Sequence, residues 1–279
     1  MKIEIMSGAG NIFAVLDNRI ALKNIDAYKA IIDKIVKNIN FGKNNCEGVI
    51  ILNNDNLLDF DAWFLNPDGS SGMMCGNGGR CAVDFALRHN FIELGNKYIK
   101  FKMAGSIYEA DAMNNTIKLF LPPPNIFQSD INIVIDGVMI KGDYVNVGTD
   151  HFIIDYENCY GMNNYDFEST EIIDLLQKIR FDSHFKNGTN VNIYKKIEDS
   201  YLIRTFERGV EAITGACGTG TVSTALSINK NHNVSFPIKF IPPSGDWLLA
   251  DIVSDHNEII NLVLIGPAIY LSNFNLENL

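Results

Sequence analysis

The chain has 279 residues, of which 47% are apolar and 20% are charged, so it has the composition of a globular protein and a length typical of about two domains. Its 23 Lys and Arg residues against 33 Asp and Glu residues give a net charge of −10. This acidic balance argues against nucleic acid or another polyanion as a partner, because such partners are bound through clustered cations.

Cysteine usage and apolar runs narrow the class of protein further. Five cysteines are an odd number in a long chain, which argues against a secreted disulfide framework. No apolar run approaches the roughly 20 residues of a membrane span, and the first ten residues do not resemble a signal peptide. C-x-x-C and H-E-x-x-H spacings do not occur in the sequence. We therefore expect a cytoplasmic protein with no metal site and no membrane partner.

The first half of the chain begins with short strands. Clusters of β-branched and aromatic residues predict strands at 2–6, 11–17 and 48–52. Between the second and third strands, residues 25–38 place apolar side chains at helical spacing, and Asp26 is the expected N-cap.

Two glycine-rich loops each contain a cysteine and precede a helix. The first is M-C-G-N-G-G-R-C at 74–81, and the second is A-C-G-T-G-T at 216–221. Helices are predicted directly after them, at 80–89 and 221–228. Both carry apolar residues nearly all round, so both are expected to be buried.

The two halves of the chain resemble each other in the order of these features. The segment that ends at Asp17 resembles the segment that ends at Asp155, 138 positions later, and Cys75 and Cys217 stand 142 positions apart. The run P-P-P at 122–124 is the best candidate for the crossover, because proline cannot donate to a sheet ladder. We interpret this repetition as two similar halves of the fold that face each other across a cleft; chance similarity of glycine-rich turns is the alternative.

A cysteine at the start of a helix has a specific chemical use. The first backbone N–H groups of a helix have no partner inside the helix, and the helix dipole adds partial positive charge there. Glycines let this backbone approach a carboxylate or phosphate closely. The same field is worth up to about 2 kcal/mol, enough to lower the pKa of a thiol from about 8.5 to about 7.

Two such loops around one carboxylate would place a sulfur on each face of the adjacent carbon. A thiolate on one face could remove the proton while a thiol on the other returned one, which inverts the stereocentre. Cys75 and Cys217 fit this chemistry. Cys46, Cys81 and Cys159 lack the glycine frame and are expected in the core.

With these loops the chain resembles the diaminopimelate epimerase family, whose members are cofactor-independent amino-acid epimerases that use two cysteines. The similarity covers nearly the whole chain. It is carried by G-x-G-N-x-F at 8–13, N-P-D-G-S to M-C-G-N-G-G-R-C at 66–81, N-G-T-N at 187–190, R-T-F-E-R-G at 204–209, A-C-G-T-G at 216–220 and L-I-G-P-A at 264–268.

The resemblance implies an α/β (α+β) fold with two pseudo-symmetric halves. Each half is a curled, mostly antiparallel sheet around a central helix, and the active site lies in the cleft between the halves. The N-terminal half, 1–121 plus 264–279, would carry Cys75. The C-terminal half, 122–263, would carry Cys217.

The resemblance also implies the activity: interconversion of LL- and meso-2,6-diaminopimelate, without a cofactor, for lysine and cell-wall synthesis. The substrate is a small amino acid, and Cys75 and Cys217 form the acid–base pair. His151 and Glu207 would lie beside the reacting centre. The reacting-end carboxylate would bind backbone amides of Gly76, Asn77, Gly218 and Thr219, and the distal end would bind Asn11, Asn66, Asn190 and Arg208.

Two segments depart from the family pattern. The first, F-G-K-N-N-C-E-G at 41–48, lacks the family's glycine-rich F-G-x-G-x-D-G form, and the second directly precedes His151. Where the family commonly reads G-N-P-H, this sequence has G-T-D-H, with Thr149 and Asp150 in place of Asn and Pro. A related racemase or epimerase of another amino acid is therefore an open alternative. An amino-acid-binding protein without turnover and a thiol redox switch are alternatives of other classes, and a homodimer is one open form of assembly.

Overall fold

The computed structural model describes residues 1–39, 46–72, 74–93, 95, 98–113, 116–256 and 258–276. The chain divides into two compact units, Met1–Phe120 with Ile265–Leu279 and Leu121–Leu264. Pro122 to Pro124 follow directly after the change of unit. Within the described ranges, none of the helices combines the length and the apolar character that crossing a membrane requires.

The first unit is built on a mixed sheet. Its strands are β1 (Lys2–Gly8), β2 (Asn11–Asp17), β3 (Cys46–Asn53), β4 (Phe60–Leu65), β5 (Tyr98–Met103), β6 (Ser106–Met113), β7 (Thr116–Leu121) and β17 (Ile269–Asn275). Its helices are α1 (Ile25–Lys29), α2 (Ile32–Lys37) and α3 (Gly76–Arg88). Antiparallel pairs join β17 to β1, β1 to β2, β3 to β4, β5 to β6 and β6 to β7, and parallel pairs join β2 to β3 and β4 to β5.

Helices cover both faces of the central strands in this unit. Along β2, Ala14 and Leu16 pack in one cluster with Tyr28 of α1, whereas Phe13 points to the opposite face and lies beside Gly78 of α3. Because both faces are covered, the strand reads as a continuous apolar run rather than as an alternating one.

The second unit repeats this construction. Its strands are β8 (Ile126–Ile135), β9 (Val138–Asn146), β10 (Asp150–Asp155), β11 (Asn190–Ile197), β12 (Ser200–Glu207), β13 (Ala212–Ile213), β14 (Ile238–Ile241), β15 (Leu248–Asp255) and β16 (Glu258–Pro267). Its helices are α4 (Glu171–Arg180), α5 (Gly218–His232) and a 3-10 turn at Tyr160–Met162. Antiparallel pairs join β8 to β9, β9 to β10, β11 to β12, β12 to β13 and β14 to β15, and parallel pairs join β10 to β11 and β12 to β14.

The topology of the two units is the same. The sequence of pairings antiparallel, parallel, antiparallel, parallel, antiparallel runs from β1 to β6 and again from β9 through β12 and β14 to β15. In each unit one helix that is buried over most of its length, α3 or α5, packs against the sheet. The predicted class, pseudo-symmetric halves that each form a mostly antiparallel sheet around a central helix, is confirmed.

Two predictions about the helices were wrong in detail. The helix expected over 25–38 is split into α1 and α2, because Ile31 leaves helical geometry with φ −118° and ψ 4°. The N-cap is Asn24 rather than Asp26, since the Asn24 side chain accepts a hydrogen bond from the Ala27 N–H at 3.0 Å.

The central helices also begin earlier than the apolar pattern indicates. α3 starts at Gly76 and α5 at Gly218, so the glycines of both loops form the first helical turn. Glycine weakens a helix interior by about 1 kcal/mol relative to alanine. Burial of these turns offsets that cost, because Gly76, Gly78 and Gly218 are all buried.

Candidate active site

Cys75 lies at the N-cap of α3. Its backbone is extended, with φ −104° and ψ 115°, and its carbonyl accepts the first helical hydrogen bond from the Gly79 N–H at 2.7 Å. The first turn of α3, all of which the structure describes, carries no acidic side chain that would offset the helix dipole. The thiol therefore stands at the positive end of a buried helix.

Close packing explains the glycines around this turn. A Cβ at Gly8 would lie 2.5 Å from the carbonyl oxygen of Asn77, so a side chain at the end of β1 would push the helix start away. A Cβ at Gly78 would lie 3.3 Å from Ile50 and 3.4 Å from Phe13. Because glycine has no side chain at these two positions, β1, β2 and β3 can pack directly against the first turn of α3.

Arg80 holds the same turn from inside the unit, and the sequence did not single it out. Its side chain is fully buried, an uncommon state for arginine. Nη2 donates to Asn77 Oδ1 at 2.9 Å and Nη1 donates to the Gly76 carbonyl at 3.3 Å. Arg80 thus fixes the orientation of Asn77, one of the predicted binding residues.

Cys217 occupies the matching place on α5. It is the N-cap with φ −116° and ψ 113°, nearly the backbone geometry of Cys75. Its sulfur accepts from the Gly220 N–H at 3.4 Å and lies 3.6 Å from the hydroxyl oxygen of Thr219. The first turn of α5, described in full, also carries no acidic residue.

His151 is completely buried beside this turn, and its partners define its tautomer. Nδ1 lies 2.9 Å from Asn192 Oδ1. The Asn192 amide nitrogen donates to Thr205 at 3.1 Å and to Thr224 at 3.3 Å, which directs the amide oxygen toward the imidazole. An amide oxygen only accepts, so Nδ1 carries the proton and Nε2 is the acceptor.

Two threonine hydroxyls face the accepting nitrogen of His151. Thr149 Oγ1 lies 3.0 Å and Thr219 Oγ1 lies 3.1 Å from Nε2, and Thr149 donates to Thr219 at 3.2 Å. Since Thr219 also lies next to the Cys217 sulfur, a hydrogen-bonded chain runs from the imidazole through a hydroxyl to the thiol. All of these groups belong to the second unit.

Burial lowers the pKa of His151 to about 4, so the imidazole is neutral at pH 7. We expect the unfolded chain, with an ordinary histidine pKa of about 6.5, to take up this proton first as the pH falls. Stability from the neutral imidazole is complete above pH 6.5 and is lost between pH 6.5 and 4. Between pH 7 and 5 the loss should be about 2 kcal/mol.

Urea unfolding at both pH values measures this loss. Wild-type protein should lose about 2 kcal/mol more unfolding free energy between pH 7 and 5 than His151→Gln, which has no titrating ring. An equal loss in the two proteins would contradict a neutral, buried His151.

The remaining predicted residues of the second unit lie where β10, β11 and β12 meet. Asn190 donates from Nδ2 to the Asp150 carbonyl at 2.8 Å and accepts from the Arg208 N–H at 2.8 Å. Arg208 Nη1 approaches the carboxylate of Asp150 at 3.3 Å. Glu207, at the end of β12, accepts a hydrogen bond from the Thr214 hydroxyl.

The predicted residues of the first unit lie on two turns and at the helix start. Asn11 is buried and begins β2 after a tight turn, in which Ala9 and Gly10 have φ of 53° and 87°. Asn66 donates to Ser70 at 2.9 Å and stabilises the predicted N-P-D-G turn. The structure places these residues with Cys75 and Asn77 in one unit.

The other three cysteines are core residues. Cys46, Cys81 and Cys159 are 5%, 0% and 3% exposed, as predicted, whereas Cys75 and Cys217 are partly exposed. Burial raises the pKa of Cys46 to about 11 and also raises the pKa of Cys81, which keeps both as thiols.

Comparison with known proteins identifies the family. No protein-family model matches the chain. The chain is 33% identical over 269 residues to diaminopimelate epimerase of Aquifex aeolicus, with 91% of each sequence covered. It is 35% identical over 271 residues to diaminopimelate epimerase of Chlorobaculum tepidum, with 94% of this chain and 96% of that one covered. The chain belongs to the diaminopimelate epimerase family.

Solved structures agree at the level of the fold. A hydroxyproline epimerase from Agrobacterium vitis, solved with bound trans-4-hydroxy-L-proline, superposes with a TM-score of 0.72 over 98% of this chain and 90% of that one. Its sequence identity is only 12%, so this likeness concerns the fold alone.

The sequence of this diaminopimelate epimerase family member did not reveal the residues that hold the side chains of the site in place by hydrogen bonds. Asn192 orients His151, Arg80 orients Asn77, and Asn146 and Tyr144 hold Asp150. Asn192 could have been found, because it lies two positions after Asn190 on β11 and therefore faces the same side of the sheet.

Proposed function

We propose that this protein is an isomerase that interconverts LL- and meso-2,6-diaminopimelate by proton transfer at one α-carbon, with Cys75 and Cys217 as the two acid–base groups. The observation that carries the proposal is the matched pair of cysteine N-caps on two buried helices, in a chain of this family. No cofactor takes part in the proposed reaction.

The helix starts explain how the α-carbon could lose a proton. The backbone amides of Gly76, Asn77, Gly218 and Thr219 are proposed to bind the α-carboxylate, which becomes more electron-rich as the C–H bond breaks. Hydrogen-bond donors that are fixed before reaction stabilise such charge without reorganisation, and one donor can be worth about 3 kcal/mol. Because Arg80 and the close-packed glycines hold the turn of α3, its donors are preorganised.

The cysteines would then exchange roles with the handedness of the substrate. The ionised sulfur removes the α-proton on one face, and the protonated sulfur returns a proton on the other. His151 is neutral and accepts a hydrogen bond from the Thr219 hydroxyl, so we assign it the positioning of Thr219 beside Cys217 rather than proton removal. Glu207 is proposed to orient the amino group at the reacting carbon.

Exchange of the α-hydrogen for deuterium across a panel of amino acids tests the substrate. Diaminopimelate should exchange faster than lysine, proline or glutamate. Exchange of another amino acid without exchange of diaminopimelate would favour a related racemase. Binding of diaminopimelate without exchange would favour a binding protein.

Gly220→Ala should reduce turnover, because the helix start of α5 has no room for a methyl group. The added Cβ would lie 2.5 Å from Asn192 Nδ2, 3.0 Å from Thr205 Oγ1 and 3.2 Å from the Cys217 sulfur. We expect a loss of about 10–100-fold in kcat, since small displacements of catalytic groups have effects of this size.

Gly78→Ala on α3 is the matched control for this substitution. Its Cβ would approach the ends of the Ile50 and Phe13 side chains at 3.3 and 3.4 Å, and it would lie at an ordinary van der Waals distance of 3.6 Å from the Cβ of Cys75. The loss of kcat should be less than about tenfold, because side-chain ends can shift. Equal losses in the two variants would mean that Gly220 has no special relation to Cys217.

The proposal also covers the location, the pathway and the assembly of the enzyme. We infer a cytoplasmic enzyme of amino-acid biosynthesis that supplies lysine and cell-wall synthesis. A homodimer is left as one form of assembly, which sedimentation of the purified protein would test.

A further inference from the structure

Asp150 and Arg208 form an unusual pair at the edge of the second unit. Asp150 begins β10 and Arg208 follows β12, and their side chains are 18% and 29% exposed, so both can reach a ligand. In the family pattern a proline stands at position 150, which cannot supply a charge. The contacts of the pair indicate what the added carboxylate does.

The carboxylate of Asp150 is anchored on one oxygen only. Oδ1 accepts from the Tyr144 hydroxyl at 2.5 Å and from Asn146 Nδ2 at 2.6 Å. Asn146 is itself fixed, because its amide oxygen accepts from the Gly148 N–H and from Asn125, each at 3.0 Å. Within the described part of the chain, Oδ2 has one hydrogen-bond partner, Arg208 Nη1 at 3.3 Å.

Burial by itself would raise the pKa of Asp150, but the hydrogen bonds from Tyr144 and Asn146 and the charge of Arg208 outweigh it and leave the pKa below the usual value. The group is therefore an anion at neutral pH. A carboxylate offers about four acceptor positions, and Oδ2 uses only one of its own.

The guanidinium of Arg208 is likewise anchored on one side. Nη1 faces Asp150 and also the carbonyls of Asn187 and Gly188, at 3.3 and 3.4 Å. Among the residues that the structure describes, Nε and Nη2 have no hydrogen-bond partner. A carboxylate that simply neutralised Arg208 would take two donors of the fork at 2.7–2.9 Å, and Asp150 does not.

We propose that Asp150 and Arg208 together bind the zwitterionic distal end of the substrate, with the ammonium on Asp150 Oδ2 and the carboxylate on Nε and Nη2 of Arg208. Asp150 is then a specificity-determining residue. It attracts an end group that carries both charges and repels one that carries only a carboxylate, so it selects as much by repulsion as by attraction. This inference rests on the proposed function.

Asp150→Asn tests the inference with two ligands, diaminopimelate and 2-aminopimelate, which has hydrogen in place of the distal amino group. We expect kcat/KM for α-deuterium exchange to fall about tenfold with diaminopimelate and to rise about tenfold with 2-aminopimelate, mainly through KM. Tyr144→Phe removes one of the two hydrogen bonds to Asp150 Oδ1. It should also lower kcat/KM for diaminopimelate and raise it for 2-aminopimelate, but by smaller factors than Asp150→Asn. Calorimetric binding of both ligands should follow the same pattern.

Asp155→Asn is the matched control, because it makes the same chemical change at the other end of β10. Its carboxylate contacts Tyr194 and His232, away from Arg208, so the ratio between the two ligands should stay unchanged. Thermal unfolding of each variant shows that it is folded.

Outcomes in which the two ligands do not change in opposite directions overturn the inference. A parallel fall for both ligands would mean that Asp150 only positions Arg208, and a parallel rise would mean that it competes with the substrate. An unchanged ratio would mean that it touches neither end group. If wild-type protein binds diaminopimelate in an Asp150-dependent way but never exchanges its α-hydrogen, the proposed function fails while the inference stands; if neither ligand binds, both fail.

Discussion

Cys75→Ser and Cys217→Ser should each lower kcat for epimerisation at least about 1,000-fold while the protein remains folded. A serine hydroxyl is far less acidic than a thiol, so the base on one face of the α-carbon is lost, and general acid–base groups contribute about 10²–10⁴-fold. The replaced sulfurs lie at N-caps, a position that serine favours, so the helices should not lose their caps.

Cys81→Ala is the control for these substitutions. Cys81 lies on α3, six residues after Cys75, but is fully buried and shows a raised pKa. Its loss should lower stability by about 1 kcal/mol and leave turnover per folded molecule within about threefold. Turnover by either serine variant at near wild-type rate would remove the corresponding sulfur from the mechanism.

Arg208→Ala should lower kcat/KM for diaminopimelate by about 100–1,000-fold, mainly through KM. The side chain is proposed to bind the distal carboxylate, and truncating a charged partner of this kind typically costs about 2–5 kcal/mol. Because the guanidinium does not touch the reacting carbon in this proposal, kcat should change less.

Arg208→Lys separates charge from geometry at this position. Lysine keeps the charge but lacks the planar fork, and it cannot contact Asp150 and the carbonyls of Asn187 and Gly188 while offering two parallel donors. We expect at least about a tenfold loss of kcat/KM. Full activity in the lysine variant would show that only a positive charge is needed.

The parts of the site that are local in sequence could be predicted from it. A cysteine, a glycine turn and the helix that follows stand within a few residues of each other, so the placement of Cys75 and Cys217 close to the start of a buried helix followed from the motif. The exact helix starts did not follow, because glycine disfavours helix and only burial in the folded unit offsets that preference at Gly76 and Gly218.

The supporting contacts could not be predicted because they join distant segments. The partners of Asn192 come from β10, β12 and α5, and the sequence does not show which hydroxyl faces which amide. Asp150 and Arg208 stand 58 positions apart, and only the parallel pairing of β10 with β11 and the antiparallel pairing of β11 with β12 bring them together. The substitution at position 150 was visible in the sequence, but its partner was not.

The two-sulfur mechanism is tested most directly by epimerisation in D2O, started from a single isomer and stopped early. Removal of hydrogen by one sulfur and delivery of deuterium by the other predict that the newly formed isomer carries one deuterium at the α-carbon, while the unreacted isomer still carries hydrogen. Deuterium that enters recovered starting isomer as fast as it enters the product would mean that a single group acts on both faces, and that result would contradict the account.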